Sequence, residues 1–408
     1  MLSTLRRSPS LPQQQRQQQQ QQKNMRAAVF YGPNNIAIED IKFNHECDSD
    51  EEDRILLKVN ACAVCGYDVR VFRNGHKKVI PPIILGHELC GEIQKTVIAK
   101  TTTTTMMANN NKEKEITIKE GTRVAVSPIL PCLNCRYCQN QLYNLCVNLR
   151  EIGSTIDGGF AEYIKIPKKI LQIGGLVPIP DNLSNEEAAL LEPLACCLNG
   201  FSHIGGGSSS TAVIKESSVV IIGDGPIGLL HLQLSKLYGA AKTIMVGKIP
   251  ARIQKAKALG ADRTVFVPND SEEEQQEKNL YNVLDFTDGT GADIVIVATS
   301  NPKALGFAMK VAGKNSKINI FAGMSSSNQA NNNNNISLDP NWLHYNQISI
   351  TGSFSSTSSM LQEAARLTSD REIDLSKIIS HQYSLTNIEE AILATEKYYG
   401  LRVIINKF

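Results

Sequence analysis

The feature that most constrains this chain is a set of four closely spaced cysteines in its first half. Cys132, Cys135, Cys138 and Cys146 follow a C-x2-C-x2-C-x7-C pattern. Spacers this short allow one small loop to place four thiolates around a single tetrahedral Zn²⁺. A zinc ion with four protein ligands has no open position, so the pattern predicts a structural zinc site. The alternatives are two disulfides or four unrelated cysteines, and both are less consistent with thiols packed this tightly.

Length and charge narrow the class of protein. The 408 residues are enough for two domains, and the net charge is only +2. This charge gives no electrostatic attraction for nucleic acid or an anionic membrane, so neither is expected as a partner. The longest apolar runs, such as 218–222 and 294–298, are far too short to span a bilayer and are typical of buried parallel strands.

Residues 1–24 are glutamine-rich and hold too little apolar surface to offset the entropy of ordering. A disordered low-complexity extension is therefore expected there. The segment contains Arg6, Arg7, Arg16 and Lys23 but no acidic residue, which is compatible with a mitochondrial transit peptide. Because its amphipathic part is very short, a cytoplasmic location is the preferred interpretation and a mitochondrial one the alternative.

The rest of the chain divides into two regions of different periodicity. Short apolar segments separated by turn residues predict an all-β domain over residues 25–184, with the Thr- and Asn-rich stretch 100–114 as a surface loop. Strands and helices then alternate over residues 185–364, which predicts a doubly wound parallel sheet. Residues 365–408 end in an apolar strand and are expected to complete the first domain.

A glycine-rich turn in the second region predicts a dinucleotide site. Gly223 to Gly228 fit G-x-G-x-x-G, directly after an apolar strand and at the start of a helix with a leucine-rich face. The glycines allow the backbone to approach a pyrophosphate at the helix N-terminus. NAD or NADP is the predicted cofactor, and a glycine-rich turn without a ligand is the alternative. The predicted contact residues are Gly223, Gly225, Pro226, Ile227 and Gly228.

The next strand carries no acid at the place where NAD-binding chains have one. An Asp or Glu there would accept a hydrogen bond from the 2′-hydroxyl of NAD. Gly247 stands near that place, with Lys248 and Arg252 beside it. Because these cations can pair with a 2′-phosphate, the sequence slightly favours NADP over NAD. The alternative is that both are ordinary solvated helix residues.

A second metal site is suggested by Cys65 and His87 in the β region. They offer one soft and one borderline ligand, a combination that suits Zn²⁺. A catalytic zinc takes three protein ligands and keeps one position open. Glu88 and Glu192 are both candidates for the third ligand. On its own, such a Cys and His pair belongs more often to a core than to a metal site.

Several short segments also match the motifs of one known family. They are Cys65–Asp68, Gly86–Glu88, Cys132–Cys146, Asp157–Tyr163, Glu192–Ala195, Gly223–Gly228 and Gly291–Asp293. Together they resemble the zinc-dependent medium-chain dehydrogenase/reductases, and more narrowly the branch of sorbitol, galactitol-phosphate and threonine dehydrogenases. The resemblance covers almost everything from Met25 to Phe408 apart from the low-complexity inserts.

The resemblance implies an α/β protein with a GroES-like β catalytic domain, a Rossmann domain and a cleft between them. It implies two Zn²⁺ per chain and hydride transfer between NAD or NADP and a polyol or other secondary alcohol. It also implies a catalytic zinc on Cys65, His87 and either Glu88 or Glu192, and a homo-oligomer, dimeric or tetrameric. Where the family usually has a serine or threonine that relays the substrate proton, this chain has Tyr67.

Two other functions remain compatible with the same fold. One is a zinc-free quinone or enone reductase, and the other is a relative without enzymatic activity. The four candidate ligands of the catalytic zinc argue against the reductase, because relatives of that kind lack them. The intact motifs argue against the non-enzymatic reading, while Tyr67 keeps it open.

Overall fold

The structure is a computed structural model that describes residues 22–44, 54–104, 111–205, 214–268, 273–324 and 337–408. Residues 1–21 of the expected disordered extension lie outside the described residues. The first strand begins at Gln22, which pairs with Asn44, so regular structure starts earlier than the expected Met25.

The strands alternate with turns in the first half of the chain and with helices in the second. In chain order they are β1 Gln22–Gly32, β2 Asn35–Asn44, β3 Arg54–Val64, β4 Ile83–Ile84, β5 Glu88–Ile93, β6 Val97–Thr104, β7 Asn111–Ile118, β8 Arg123–Val126, β9 Ile129–Leu130, β10 Arg150–Glu151, β11 Tyr163–Pro167, β12 Leu176–Pro178, β13 Ser218–Ile222, β14 Lys242–Gly247, β15 Arg263–Phe266, β16 Ala292–Val297, β17 Ala312–Ile320, β18 Ser349–Gly352, β19 Ile379–Ser384 and β20 Arg402–Lys407.

The helices are concentrated in the second half. The α-helices are Gly66–Asn74, Arg136–Gln139, Asn185–Ala189, Leu191–Gly205, Pro226–Leu237, Pro250–Ala258, Glu273–Phe286, Lys303–Val311, Pro340–Asn346, Ser358–Ser369 and Ile388–Glu396. Short 3₁₀ turns are Tyr143–Leu145, Lys168–Ile173, Leu375–Ile378 and Leu385–Asn387. Among the described helices, none combines the length and apolar character that a bilayer crossing requires.

The β domain is built around β3. The main sheet has the order β12–β8–β5–β3–β20–β19, and β11 also pairs with β3. Because β3 lies in the middle of this sheet, most of its side chains are buried, as its apolar sequence predicts. β20 pairs antiparallel with β3, Val403 opposite Val64, so the end of the chain returns to the first domain. The boundaries at residues 184 and 364 stay predictions.

The prediction of a surface loop at residues 100–114 is wrong for residues 100–104 and 111–114, which lie in strands. β6 and β7 form an antiparallel hairpin in which Thr101 pairs with Lys114. Threonine is β-branched and favours strands, a preference that the low-complexity interpretation ignored. Residues 105–110, between the two strands, lie outside the described residues.

The predicted parallel sheet is confirmed. Its order is β15–β14–β13–β16–β17–β18, and every neighbouring pair runs parallel. The chain order reverses between β13 and β16, so a crevice forms outside the carboxyl ends of these strands. Ile222 ends β13 at that edge, and the glycine-rich turn follows it directly.

One buried histidine makes the stability of this domain depend on pH. His231, on helix Pro226–Leu237, is fully buried, and neither ring nitrogen has a hydrogen-bond partner in the described structure. Its ring packs 5.3 Å from the ring of Phe201 and 4.7 Å from that of Phe321. Burial lowers the pKa of His231 to about 3, because the apolar surroundings cannot solvate an imidazolium.

We expect acid to destabilise the protein through this histidine. Below about pH 6.5, His231 is protonated in the unfolded chain but remains neutral in the folded protein. The free energy of unfolding therefore falls as the pH falls. The His231 contribution is about 2 kcal/mol between pH 6.5 and 5. Urea unfolding at both pH values should show a smaller acid loss in His231→Phe. The exposed His203→Asn variant is the control, and an equal acid loss in His231→Phe and the parent would contradict the account.

Candidate active site and metal centres

Cys65, His87 and Glu88 each bring one candidate ligand atom to a common point. These atoms all lie within 4.8 Å of one another. Cys65 follows β3 and is the N-cap of helix Gly66–Asn74, while Glu88 begins β5. Because β3 and β5 are paired, with Ala63 opposite Glu88, the end of one strand meets the start of the other. The sheet therefore assembles the three residues.

The backbone makes a special turn just before His87. Gly86 has a φ of 93°, a conformation that side chains rarely allow. A Cβ at this position would also lie 2.8 Å from Sγ of Cys62 and 2.9 Å from Phe160. Both the positive φ and the close packing require glycine at position 86. This turn sets the orientation of His87, the next residue.

Asp68 is fully buried and contacts both Cys65 and His87. Its Oδ2 accepts a hydrogen bond from the backbone N–H of Cys65 at 2.8 Å, and its Oδ1 lies 3.5 Å from Nδ1 of His87. Burial alone would lower the pKa of His87, but Asp68 and Cys65 together raise it well above its usual range. A carboxylate at Nδ1 is a common way to orient a metal-binding histidine, and it leaves Nε2 for the metal.

Glu88 is held by a buried arginine from the far end of the chain. Nη2 of Arg402 donates to Oε1 of Glu88 at 2.8 Å. Burial raises the pKa of Glu88 to about 7, although the charge of Arg402 opposes this. The second oxygen, Oε2, is enclosed and has no hydrogen-bond partner in the described structure. An enclosed carboxylate oxygen without a donor is costly, and a zinc ion would satisfy it.

Glu192 is a neighbour of this group and not part of it. It lies in the first turn of helix Leu191–Gly205 and is buried. Its Oε1 accepts a hydrogen bond from Sγ of Cys196 at 3.2 Å. Its charge is close enough to contribute to the raised pKa of Glu88. The structure therefore brings Glu88 to Cys65 and His87, and keeps Glu192 beside them.

Tyr67 borders the cluster and connects it to the surface. Its ring meets the ring of His87 edge-on, with centroids 5.7 Å apart. Its hydroxyl hydrogen-bonds to Oγ of Ser154 at 2.9 Å and lies 3.5 Å from Nδ1 of the exposed His76. Burial raises the pKa of Tyr67, so the phenol stays protonated near neutral pH.

The four-cysteine cluster has the dimensions of a zinc–sulfur tetrahedron. Sulfur atoms 2.3 Å from a shared zinc stand about 3.8 Å apart. Here Sγ of Cys135 lies 3.5 Å from that of Cys138 and 3.9 Å from that of Cys146, and the Cys132–Cys138 separation is also 3.9 Å. These distances are far longer than the S–S bond of a disulfide. Backbone N–H groups of Cys138 and Val147 help to lower the pKa of Cys135 to about 6, which favours a thiolate. Burial raises the pKa of Cys138 to about 12 and also raises that of Cys146, so those two thiols would need the charge of a metal ion to deprotonate.

The cysteine loop also touches the second domain. Nδ2 of Asn144, within the loop, donates to the carbonyl oxygen of Phe354 at 2.7 Å. Nδ2 of Asn199, on helix Leu191–Gly205, donates to the same oxygen at 3.2 Å. Because one carbonyl just after β18 accepts from both, the shape of the cysteine loop affects how the two domains meet.

The glycine-rich turn has the geometry of a dinucleotide site. Gly223 has a φ of 122°, and a Cβ there would lie 2.7 Å from the carbonyl oxygen of Ala298. A Cβ on Gly228 would collide with the carbonyl oxygen of Gly223. Gly225 is the N-cap of helix Pro226–Leu237, whose first turn begins with Pro226 and Ile227. The free N–H groups of this turn can bind a pyrophosphate.

Lys248 and Arg252, the two cations expected to favour NADP, differ in their exposure to solvent. Lys248 is exposed at the end of β14. Arg252 is buried, and its Nε and Nη2 both donate to the carbonyl oxygen of Gly400, at 2.8 and 2.5 Å. Most of its donors are therefore already used, and binding of a 2′-phosphate by Arg252 stays a prediction.

Sequence reasoning missed two residues that the structure places at these sites. Arg402 begins an apolar strand, and a single charge in such a run could have indicated a buried partner. Asp224 lies inside the fingerprint, and its Oδ2 accepts from the backbone N–H groups of Lys248 and Ile249 at 2.8 and 2.7 Å. An acid in the fingerprint, combined with glycine at the strand end, was the available signal.

We expect Cys135→Ser to lose the cluster metal. A missing thiolate opens the tetrahedron, so the zinc content should fall from about two to about one per chain and the thermal midpoint should drop. Elemental analysis and calorimetry measure both quantities. Cys90→Ser, which changes a buried cysteine outside the cluster, is the control. Two zinc ions retained in Cys135→Ser would contradict a structural zinc on these sulfurs.

Comparisons with known proteins agree with the architecture. A family model described as the alcohol dehydrogenase GroES-like domain matches residues 51–181, and one described as zinc-binding dehydrogenase matches residues 226–370. The chain is 29% identical to the sorbitol dehydrogenase of Bacillus subtilis, covering 91% of this chain and 93% of that protein. It is 30% identical to the D-arabitol-phosphate dehydrogenase of Enterococcus avium, covering 87% and 90%.

Solved structures with the same fold span nearly the whole chain. A putative zinc-binding dehydrogenase from Sinorhizobium meliloti, bound to NADP, superposes with a TM-score of 0.75 at 26% identity, covering 94% of this chain and all of that one. An alcohol dehydrogenase from Thermotoga maritima gives a TM-score of 0.77 at 22% identity, with the same coverage. With the two family domains in order and these relatives aligned over most of its length, the chain belongs to the zinc-dependent medium-chain dehydrogenase/reductase family, in its sorbitol dehydrogenase-like branch.

Proposed function

We propose that this protein is a zinc-dependent polyol dehydrogenase that exchanges a hydride between a secondary alcohol and NAD(P). The observation that carries this proposal is the convergence of Cys65, His87 and Glu88. The polyol class rests on relatives whose names specify sorbitol, D-arabitol phosphate and D-xylulose.

The site residues have distinct roles in this proposal. Cys65, His87 and Glu88 hold the catalytic metal, and the four cysteines from Cys132 to Cys146 hold the structural one. When bound, a zinc ion at the first site supplies Lewis acidity toward the substrate hydroxyl, and the nicotinamide ring accepts the hydride. The turn Gly223–Gly228 holds the pyrophosphate, with Pro226 and Ile227 opening the helix beneath it.

The surrounding residues keep the three ligands in place. Oδ1 of Asp68 lies 3.5 Å from Nδ1 of His87 and attracts it by charge, and Arg402 holds one oxygen of Glu88 by a hydrogen bond. Both partners are buried, so their positions are set by packing as well as by charge. Fixed ligands reduce the reorganisation that a reaction would otherwise require.

Tyr67 provides a route for the substrate proton. Its hydroxyl contacts Oγ of Ser154 at 2.9 Å and lies 3.5 Å from the exposed His76. A phenol that accepts the substrate proton gives its own proton to Oγ of Ser154 or Nδ1 of His76, and His76 is exposed to solvent. The phenol reaches farther from the helix Gly66–Asn74 than the serine or threonine hydroxyl usual in the family.

The zinc-free reductase and the non-enzymatic alternative fit the site less well. The zinc-free reductase leaves Oε2 of Glu88 enclosed without a partner, which costs free energy. A non-enzymatic relative could still bind zinc there, so measured turnover separates it from the proposed dehydrogenase. A homo-oligomer and a cytoplasmic location are parts of the proposal that rest on the family resemblance and on the thiol-rich cluster. Light scattering on the purified protein and imaging of a C-terminally tagged chain test them.

Turnover with a panel of alcohols tests the proposed activity. The zinc-loaded protein should reduce NAD or NADP with sorbitol, xylitol, D-arabitol or their phosphates, and much more slowly with ethanol. His87→Ala should abolish turnover while the cluster keeps its zinc. Activity with quinones but with none of the alcohols would contradict the proposal, as would full activity of His87→Ala.

Paired carboxylate variants identify the third ligand. We expect Glu88→Gln to lose the catalytic zinc, because its carboxylate is the one that meets Cys65 and His87. Glu192→Gln should keep two zinc ions per chain and mainly lower kcat by disturbing the surroundings of Glu88. Zinc content and kcat of both variants are the measurement. The reverse pattern, with metal lost only in Glu192→Gln, would show that Glu192 is the ligand.

A further inference from the structure

The acid that the end of β14 lacks is supplied by another part of the chain. Gly247 is the last residue of β14 and has no side chain to meet a ribose. The carboxylate of Asp224 fills the space beside it. A Cβ on Gly247 would lie 2.5 Å from both Cβ and Oδ2 of Asp224. The position that an acidic strand-end residue would occupy is therefore already taken by an acid from the glycine-rich turn.

The strand end itself anchors this carboxylate. Oδ2 of Asp224 accepts hydrogen bonds from the backbone N–H groups of Lys248 and Ile249, at 2.8 and 2.7 Å. These two bonds fix the carboxylate group across the turn that follows β14. Oδ1 accepts no hydrogen bond from the described residues, and it is not among their enclosed unpartnered atoms. One oxygen is thus anchored, and the other is left for a ligand.

Neither nearby cation, Arg252 or Lys248, forms an ion pair with the carboxylate of Asp224 among the described residues. The guanidinium of Arg252 is bonded to the carbonyl oxygens of Gly400 and Tyr398 and stacks on the Tyr398 ring, 5.3 Å from its centroid. The C-terminal segment therefore holds Arg252 in place, and burial lowers its pKa, although the charge of Asp224 opposes this. Lys248 is the exposed cation at the strand end, and its flexible side chain can remain in solvent.

We infer that Asp224 is the specificity-determining acid of this dinucleotide site, binding the ribose 2′-hydroxyl of NAD and repelling a 2′-phosphate. A hydroxyl can donate to the free Oδ1, whereas a phosphate brings like charge against a carboxylate that cannot move away. The strand-end glycine then has a positive role, because any side chain there would displace Asp224. This reverses the slight preference for NADP that the strand-end residues alone suggested.

Both cofactors occur among solved structures with this fold, one bound to NADP and one to NADH, so the fold alone does not decide the preference. The inference deepens the proposed function, since it concerns the cofactor of the same site. It does not depend on which alcohol is the substrate. Direct binding of the reduced cofactors to the zinc-loaded protein separates the two questions, because it needs no turnover.

Fluorescence titration with NADH and NADPH tests the assignment. The parent should bind NADH at least about tenfold more tightly than NADPH. This difference is expected because Asp224 accepts a hydrogen bond from the 2′-hydroxyl of NADH and repels the 2′-phosphate of NADPH. Asp224→Asn keeps the shape but removes the charge, so NADH should weaken by about tenfold and the NADH:NADPH ratio should approach one. Asp293→Asn is the matched control. Asp293 accepts a hydrogen bond from the backbone N–H of Ser218 at 2.8 Å. Because this bond lies at the amino ends of β13 and β16, replacing Asp293 should leave the NADH:NADPH ratio unchanged.

Moving the acid tests the geometry. Gly247→Asp alone should weaken both cofactors, because its side chain and Asp224 need the same space. The double variant Asp224→Gly with Gly247→Asp should restore the preference for NADH. The inference is overturned if the parent binds NADPH as tightly as NADH, a measurement that requires no variant to fold. It is also overturned if Asp224→Asn leaves the parental ratio unchanged, or if Gly247→Asp binds NADH as well as the parent does.

Discussion

The buried pair of Glu88 and Arg402 is the interaction on which the rest of the active site depends. Taking two charges out of water is costly, and the pair is tolerable only with close geometry and further bonds. Arg402 meets that condition by also donating to the carbonyl oxygen of Val64, at the end of β3. The arginine begins β20, so the metal site is complete only when the last strand has paired with β3. Strand β20 thus supports the proposed catalytic centre, although Glu88 lies more than three hundred residues earlier in the chain.

A second constraint concerns the junction between the domains. Helix Leu191–Gly205 carries Glu192 next to the metal ligands and Asn199 against the carbonyl oxygen of Phe354. The cysteine loop reaches the same oxygen through Asn144. A structural metal in that loop would therefore have a function beyond local stability, because it fixes a contact between the β domain and the parallel sheet. This role would account for a closed, four-thiolate site far from the proposed catalytic residues.

Much of this architecture could be predicted from the sequence because its signals are local. The strand before Gly223, the glycine turn and the helix after it lie within a single stretch, and the four cysteines are separated by short spacers. The β6–β7 hairpin was missed because repeated threonines were interpreted as low complexity. The error lay in giving more weight to the repeated sequence than to the strand preference of threonine.

The site residues that escaped prediction depend on long-range contacts. Nothing near Arg402 in sequence shows that Glu88 is its partner, and nothing near Gly247 shows that Asp224 fills its place. The choice between Glu88 and Glu192 was also open, because motif positions do not indicate which carboxylate faces Cys65 and His87. Pairing of β3 with both β5 and β20 brings Cys65, Glu88 and Arg402 together, and pairing of β13 with β14 brings Asp224 next to Gly247.

X-ray absorption at the zinc edge tests the two-site account most directly. Five thiolates shared by two ions, Cys65 and the four of the cluster, predict an average of about 2.5 sulfur atoms per zinc. The remaining average of about 1.5 lighter atoms per zinc would come from His87, Glu88 and one exchangeable ligand. An average near four sulfur atoms, with one zinc per chain, would mean that only the cluster binds metal and would contradict the catalytic site.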